Sequence, residues 1–255
     1  MQILGVILHP TTKRQALRKV DKYLRTSGQK MVFTPNPEMI VHAQKDSYFR
    51  DVLNDSHLNI CDGIGIEMIT KKQIKRIPGS EFFYDVCSLA EEKNKTVFLL
   101  GTGNMSTLEK AKKKLQETHP NLRIVGMHPG PTIKLETSEY GNVLYFPERD
   151  NDDVIDRIIE CAPEILFVAF GHEKQEKWIY TYLRDLPSVK VAMGIGGTLE
   201  FVSGKVKRAP KIIQKIGLEW LWRLILQPRR IRRIFTAVVI FPMMYWKKIK
   251  TKDYA

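Results

Sequence analysis

The sequence predicts an α/β fold: a mainly parallel sheet with helices on both faces, followed by a basic helical appendage. Three observations predict it. Short apolar runs alternate with segments of helical spacing from residue 3 to residue 193. Five of those runs end in polar or glycine-rich stretches, the kind that line a binding rim at strand carboxyl ends. Residues 205–255 then hold 14 of the 41 basic residues and only 2 of the 28 acids, so they carry +12 of the chain's +13.

Taken in order, residues 3–8 read as a strand and residues 11–26 as a helix with Leu17, Val20 and Leu24 on one face. A strand at 30–34 ends in Thr34-Pro-Asn-Pro37, where two prolines stop helix and ladder alike and impose an exposed turn. Helical patterns follow at 38–45 and 48–54, then a strand at 58–61 that stops at Asp62-Gly-Ile-Gly65. Residues 80–94 are helical, 96–100 form a strand, and Gly101-Thr-Gly-Asn104 leads into a helix at 105–118. A strand at 122–125, a helix at 153–161 and a strand at 164–170 ending at Gly171 come next. A helix at 173–184, a strand at 189–193 and the turn Gly194-Ile-Gly-Gly197 complete the series.

With 255 residues, 43% of them hydrophobic, the chain suits one globular domain (1–204) with an appendage (205–255). Its first eight residues lack a basic leader and a small-residue cleavage site, so no signal peptide is expected. Cys61, Cys87 and Cys161 lie among apolar neighbours, the pattern of buried thiols in a reducing cytosol.

The appendage combines charge with apolar surface. Gly217-Leu-Glu-Trp-Leu-Trp-Arg223 precedes Pro228-Arg-Arg-Ile-Arg-Arg233 and then an apolar run, 234–246, broken by Pro242. Such a run is shorter than the ~20 residues of a bilayer span. Flanking basic residues and Trp220, Trp222 and Trp246 suit a segment lying at the headgroups of an anionic membrane. A helix packed on the core with a solvated basic face is the plainer alternative. Nucleic acid is not the expected partner, because its sites set basic residues among polar and aromatic ones.

On the rim, Asp62 follows an apolar strand and precedes glycine. Partial desolvation there would raise its pKa and fit it to accept a proton from a substrate hydroxyl, unless it merely bonds its own loop amides. Thr34 and Asn36 offer groups to orient a sugar or the base, or to bond locally within their turn. Gly101 and Gly103 let a phosphate approach a helix N-terminus, but the third glycine of a dinucleotide fingerprint is missing. Gly196 and Gly197 bring backbone near a ligand, and Arg76 is a candidate anion clamp. Asp150-Asn-Asp152 fits a helix start better than a metal site, and His172-Glu173 lacks a second histidine four residues on.

Nine short stretches, spread over nearly the whole chain, resemble the WecG/TagA/CpsF family of bacterial glycosyltransferases. They are Thr34-Pro-Asn-Pro-Glu38, Asp62-Gly-Ile-Gly65, Arg76 with Gly79-Ser80, Leu100-Gly-Thr-Gly103, and Gly171-His-Glu-Lys-Gln-Glu176 with Trp178. Gly194-Ile-Gly-Gly197, Gly204-Lys-Val-Lys-Arg-Ala-Pro210, Gly217-Leu-Glu-Trp220 with Arg223-Leu224, and Pro228-Arg-Arg230 complete the set.

The resemblance implies a Rossmann-like fold and an inverting, metal-independent reaction without a cofactor. A sugar, N-acetylmannosamine or a related hexose, passes from a UDP-sugar to a polyprenyl-diphosphate-linked sugar at the inner face of the cytoplasmic membrane. Products of such steps enter teichoic acid, common antigen, capsule or exopolysaccharide. It makes Asp62 the base and places Thr34, Asn36 and Gln175 in the pocket with Gly171. It assigns the lipid diphosphate to the arginine-rich tail, here Arg208, Arg223, Arg229, Arg230 and Arg233. A homo-oligomer is compatible with it. Departures at Glu81, Leu199-Glu200-Phe201 and His172-Glu173 leave the donor open, UDP-glucose or a UDP-uronic acid included. Three other classes compete: a nucleic-acid-binding module, an NAD-dependent oxidoreductase and a catalytically dead scaffold. The first leaves the polar strand ends unused, the second lacks its fingerprint, and the third is at odds with Asp62, Arg76 and Gln175 standing together.

Overall fold

The chain opens as a hairpin, β1 (Gln2–Ile3) and β2 (Val6–Ile7), and not as the single strand expected over 3–8. Leu4 and Gly5 both take positive φ, 47° and 84°, which folds the chain back before it can enter a sheet. The computed structural model describes residues 1–147, 150–215 and 217–252. A helix, α1 (Lys13–Arg25), then begins at a capping box between Thr12 and Gln15 and buries Ala16, Val20 and Leu24.

The main sheet follows: β3 (Lys30–Phe33), α2 (Pro37–His42), α3 (Ser47–Asn54), β4 (Leu58–Asn59), α4 (Ile64–Ile69), α5 (Gly79–Glu92), β5 (Thr96–Gly101), α6 (Met105–Thr118) and β6 (Arg123–His128). A surface hairpin, β7 (Lys134–Ser138) and β8 (Gly141–Tyr145), interrupts the alternation. It resumes with α7 (Asn151–Cys161), β9 (Ile165–Ala169), α8 (Lys174–Tyr182), β10 (Val191–Gly194) and α9 (Thr198–Val202). Six strands pair in parallel in the order β4-β3-β10-β9-β5-β6.

Alternation along the strands builds two cores. Met31, Phe33, Phe98, Leu100, Leu166, Val168 and Ala192 face one layer, with Trp178 of α8 and Phe49 of α3. Val32, Val97, Leu99, Phe167, Val191 and Met193 face the other, with Val20 of α1 and Phe83 of α5. Cys61 and Cys87 are buried free thiols, whereas Cys161 is half-buried.

The expected α/β sheet with helices on both faces is therefore present, with some corrections. Thr34-Pro-Asn-Pro37 is no exposed turn: Thr34, Pro35 and Pro37 are buried, and Pro37 opens α2, a position where its missing N–H costs nothing. Beyond Asp62, residues 64–69 form a helical turn and a half. The helix expected over 173–184 is α8 followed by a 3₁₀ turn, Leu183–Asp185.

After Gly204 the chain forms α10 (Lys211–Lys215), α11 (Glu219–Leu226), a 3₁₀ turn at Pro228–Arg230, α12 (Ile231–Phe235) and α13 (Phe241–Lys252). Pro242 does not break the last helix. It lacks the N–H that would close the regular ladder, and the helix widens into a π turn, Thr236–Ile240, and continues. Phe241, Ile240, Met244 and Tyr245 pack this segment against the first core.

Candidate active site

The five rim stretches read from the sequence all lie at the carboxyl edge of the parallel strands. Adjacent strands β5 and β9 send their connections in opposite directions, toward β6 and β10, and so make a switch point. Gly101 stands there because a Cβ would meet the Ala169 backbone at 2.7 Å. Gly103 takes φ +64° and donates to the Pro129 carbonyl at 2.9 Å, and Asn104 caps α6 by accepting from Thr107 N. A cavity of about 350 Å³ opens beside this turn, lined by Asn104, Ser106, Thr107, Lys110, Gly204 and Lys205 among others.

At the other end of the rim, Asp62, Thr34 and Gly79 come together. A Cβ on Gly79 would lie 3.0 Å from Asp62 Oδ2 and 3.3 Å from Thr34 Oγ1. The loop bearing Asp62 is pressed on the α2 entry: a Cβ at Gly63 would fall 2.5 Å from Pro37 Cδ. Asn36 turns its Oδ1 to Met39 N at 3.0 Å and caps α2, the local role open to it from the start. Burial pushes the Asp62 carboxyl above the ordinary carboxylate value; Arg76, the Gly79 backbone and Arg223 pull it back, and Glu219 adds to the rise.

The arginines reach this place from the C-terminal segment. A Cβ at Gly217 would meet Ile64 Cγ1 at 2.9 Å, so the chain runs against α4 and delivers Glu219 beside Asp62. Glu219 stands 3.8 Å from Arg76 Nη2 and 3.8 Å from Arg208 Nε. Arg208 also donates to Ser80 Oγ at 3.0 Å, and Arg223 lies over the Phe201 ring at 4.2 Å. Burial lowers the pKa of Arg223, while Glu219 and Asp62 raise it. Arg76, Arg208 and Arg223 thus belong to one group with Asp62. Gly79 and Glu219 were given no site role by sequence reasoning, although both lie in stretches that carry the family resemblance and Glu219 is an acid inside a basic tail.

The remaining site residues sit elsewhere. Gln175 is buried, with Oε1 accepting from Gly196 N at 2.8 Å and Nε2 donating to Glu176 Oε1 at 2.6 Å, so it shapes the Gly194–Gly197 turn. Beneath it, burial pushes the Glu176 carboxyl up to about 7. Gly171 takes φ +83° at the end of β9, and a Cβ there would meet open space. Gly197 lies within reach of Glu200, whose Oε2 would be 3.4 Å from a Cβ. Arg229 is exposed and Arg230 half-buried, its Nε bonded to Gln227 Oε1. Arg233 is engaged by Glu38 and His172.

Among the described residues, His42, Asp46 and Glu173 bring ligand atoms within 4.8 Å of one another. The charge they would offer a metal is already met by buried Lys177, whose Nζ lies 2.7 Å from Asp46 and 2.9 Å from Glu173. Asp150 accepts from Thr132 N, and Asp152 lies in the first turn of α7, as helix-start acids do.

Among the described residues, no helix is long and apolar enough to cross a membrane. The last helical segment nevertheless exposes a stripe of Ile231, Phe235, Val238, Val239, Met243 and Trp246 on the side away from the core.

A buried carboxyl of raised pKa stands among arginines at the carboxyl edge of a doubly wound sheet, the place where enzymes of this architecture bind their ligands. A profile of the glycosyl transferase WecG/TagA/CpsF family matches residues 1–254. The chain belongs to this family and is a glycosyltransferase. It is similar to the N-acetylglucosaminyldiphosphoundecaprenol N-acetyl-beta-D-mannosaminyltransferases of Staphylococcus aureus strains NCTC 8325 / PS 47 and COL. Each is 29% identical over 258 residues, covering 99% of this chain and 93% of its own.

Proposed function

We propose that the protein transfers a sugar, N-acetylmannosamine or a related hexose, from a UDP-sugar to a polyprenyl-diphosphate-linked sugar in cell-surface polysaccharide synthesis. The observation that carries this reading is Asp62: a carboxyl raised by burial, close against the Gly79 backbone where Thr34 also comes near, with Arg76 and Arg223 close enough to act on it. A base of raised pKa takes the proton of the acceptor hydroxyl as that oxygen attacks the anomeric carbon, and UDP leaves from the opposite face with inversion. Arg76, Arg208 and Arg223 balance the diphosphate charge in place of a metal, with Arg229 and Arg230 on the approach side. The apolar stripe of the last helix rests in the headgroup layer of an anionic inner leaflet, so the lipid chain need not leave the bilayer. The staphylococcal relatives are named for the N-acetylmannosaminyl group and the diphosphoundecaprenol-linked N-acetylglucosamine, which favours this sugar and this class of acceptor.

The test is a transfer assay with a short-chain polyprenyl-diphosphate-N-acetylglucosamine acceptor, a panel of UDP-sugars and EDTA throughout. Product with one donor is expected. UDP binding without product from any donor would reject the acceptor, and activity abolished by EDTA would reject the metal-free step. UDP-glucose or a UDP-uronic acid as the sole working donor would favour the second reading of the departures at Glu81 and Glu200.

A further inference from the structure

Near its start, the C-terminal helical segment is fastened to the body by a polar contact. Arg233, in α12, donates from Nε to Glu38 Oε1 at 2.7 Å and from Nη2 to Glu38 Oε2 at 3.0 Å, a two-pronged contact. The same Nη2 lies 3.0 Å from His172 Nδ1. A guanidinium only donates, so this ring nitrogen is the acceptor and carries no proton. Glu38 stands in the first turn of α2, just after the Asn36 cap, and His172 follows Gly171 beyond β9. One side chain therefore ties the tail to the ends of β3 and β9, the two strands that flank β10. Ile240, Phe241, Met244 and Tyr245 add apolar contacts between this segment and the body, which set its orientation less sharply.

We propose that Glu38 and His172 are positioning residues for the transfer: they hold Arg233 as a latch, and through it keep Glu219 and Arg223 beside Asp62. This deepens the transferase reading and rests on it. It also sets Arg233 apart from the arginines offered to the diphosphate, because its Nε and Nη2 are already committed. The groups facing His172 are Glu38 and His42 from α2, Arg233 from α12 and Glu173 next to it in its own loop. Burial lowers the pKa of His172; Glu38 raises it, Arg233 and His42 lower it, Glu173 raises it, and the net shift is downward. The latched state thus prefers the neutral ring. Latching is complete above the ordinary histidine value of about 6.5 and weakens as the pH falls through it.

The experiment is a double-mutant cycle in the full chain with Glu38→Gln, Arg233→Gln and the pair. Hydrogen exchange of residues 231–249 is followed without substrate, alongside UDP affinity and kcat and KM for the lipid-linked acceptor. Each single change is expected to lower protection and kcat/KM about tenfold, as one coupled charge pair does, with the double no worse than either and UDP affinity unchanged. His172→Gln, whose amide oxygen still accepts from Arg233, is expected to keep protection at pH 7.5. It should also abolish the loss of protection that the wild type shows between pH 7 and pH 5. Additive losses, with the helix still protected in Arg233→Gln, would overturn the latch and make Arg233 a substrate ligand. Undiminished wild-type protection at pH 5 would remove His172 from it. Exchange needs no turnover, so a chain that transfers no sugar would refute the transferase reading while the cycle still decides whether the latch exists.

Discussion

The Gly79 backbone lies against the Asp62 carboxylate so closely that one methyl group would disturb it: a Cβ there would stand 3.0 Å from Oδ2. Thr34 also comes close there, its Oγ1 3.3 Å from the same Cβ position. Gly79→Ala is therefore expected to displace the base. Turnover should fall between roughly tenfold and 10²-fold, the cost of a small misplacement at a reacting group. Thermal unfolding should change little, since alanine suits the first helical position of α5. A variant as active as the wild type would show the close approach to be incidental.

Asp62→Asn should lose 10²–10⁴-fold in kcat, about what a positioned base contributes. The wild-type rate should rise with pH, because the ionised form takes the proton. Its acid limb should lie above the ordinary carboxylate range, since burial raises the pKa. In the variant that limb should vanish. A limb that persists unchanged in Asp62→Asn belongs to another group.

Lys177 is fully buried between Asp46 and Glu173 and also donates to the Asn142 carbonyl of the surface hairpin. Lys177→Met leaves two buried acids without their partner. A loss of about 3–5 kcal/mol is expected in urea unfolding. The hairpin β7–β8 should lose its exchange protection first. Stability within 1 kcal/mol of wild type, on the scale of a surface substitution, would mean that the network is idle.

Phe235 and Trp246 stand on the outward stripe of the last helix. Phe235→Glu and Trp246→Glu should each weaken binding to vesicles containing anionic lipid by about tenfold or more, the worth of one large apolar side chain. UDP affinity should not move. Equal binding of wild type and variants to such vesicles would dismiss the stripe as a membrane contact.

Glu176 links pH to stability. Its carboxyl, raised from 4.5 to about 7 by burial, holds a proton in the folded chain that the unfolded chain has released. This contribution is whole below the unfolded value and is lost as the pH rises through about 7. Melting curves of wild type and Glu176→Gln should therefore converge or cross as the pH is taken from 5 to 9. A constant difference across that range would place the titration elsewhere.

Much of the fold was legible because it rests on local pattern. The strands at 96–101 and 165–169 are fully buried apolar runs, and the glycines after them mark their ends. The hairpin β7–β8 was not legible, because Glu136, Thr137 and Ser138 face solvent and show no apolar alternation. Nor was α4, six residues long with Gly65 inside it. Pro242 reads as a helix breaker in isolation, yet packing of Phe241 in the core carries the helix past it. At the site, Asp62 could be named a candidate from its strand end, but a turn-bonding role was equally open there and its role as base came from the family resemblance. Its neighbours Gly79 and Glu219 could not, since their roles depend on approaches between distant parts of the chain. Gln175 was named through the family resemblance, but its inward turn to Gly196 depends on the neighbouring strand.

The arrangement of Arg233 on Glu38 and His172 also bears on how the protein is made. Its partners stand in the first third and the second half of the chain, and the sheet between them needs β10 before it is whole. A polypeptide leaving the ribosome can fold its early βα units, but it cannot complete this contact until residue 233 has emerged. Reactive geometry around Asp62 would then arrive last during synthesis, after the scaffold that restrains it.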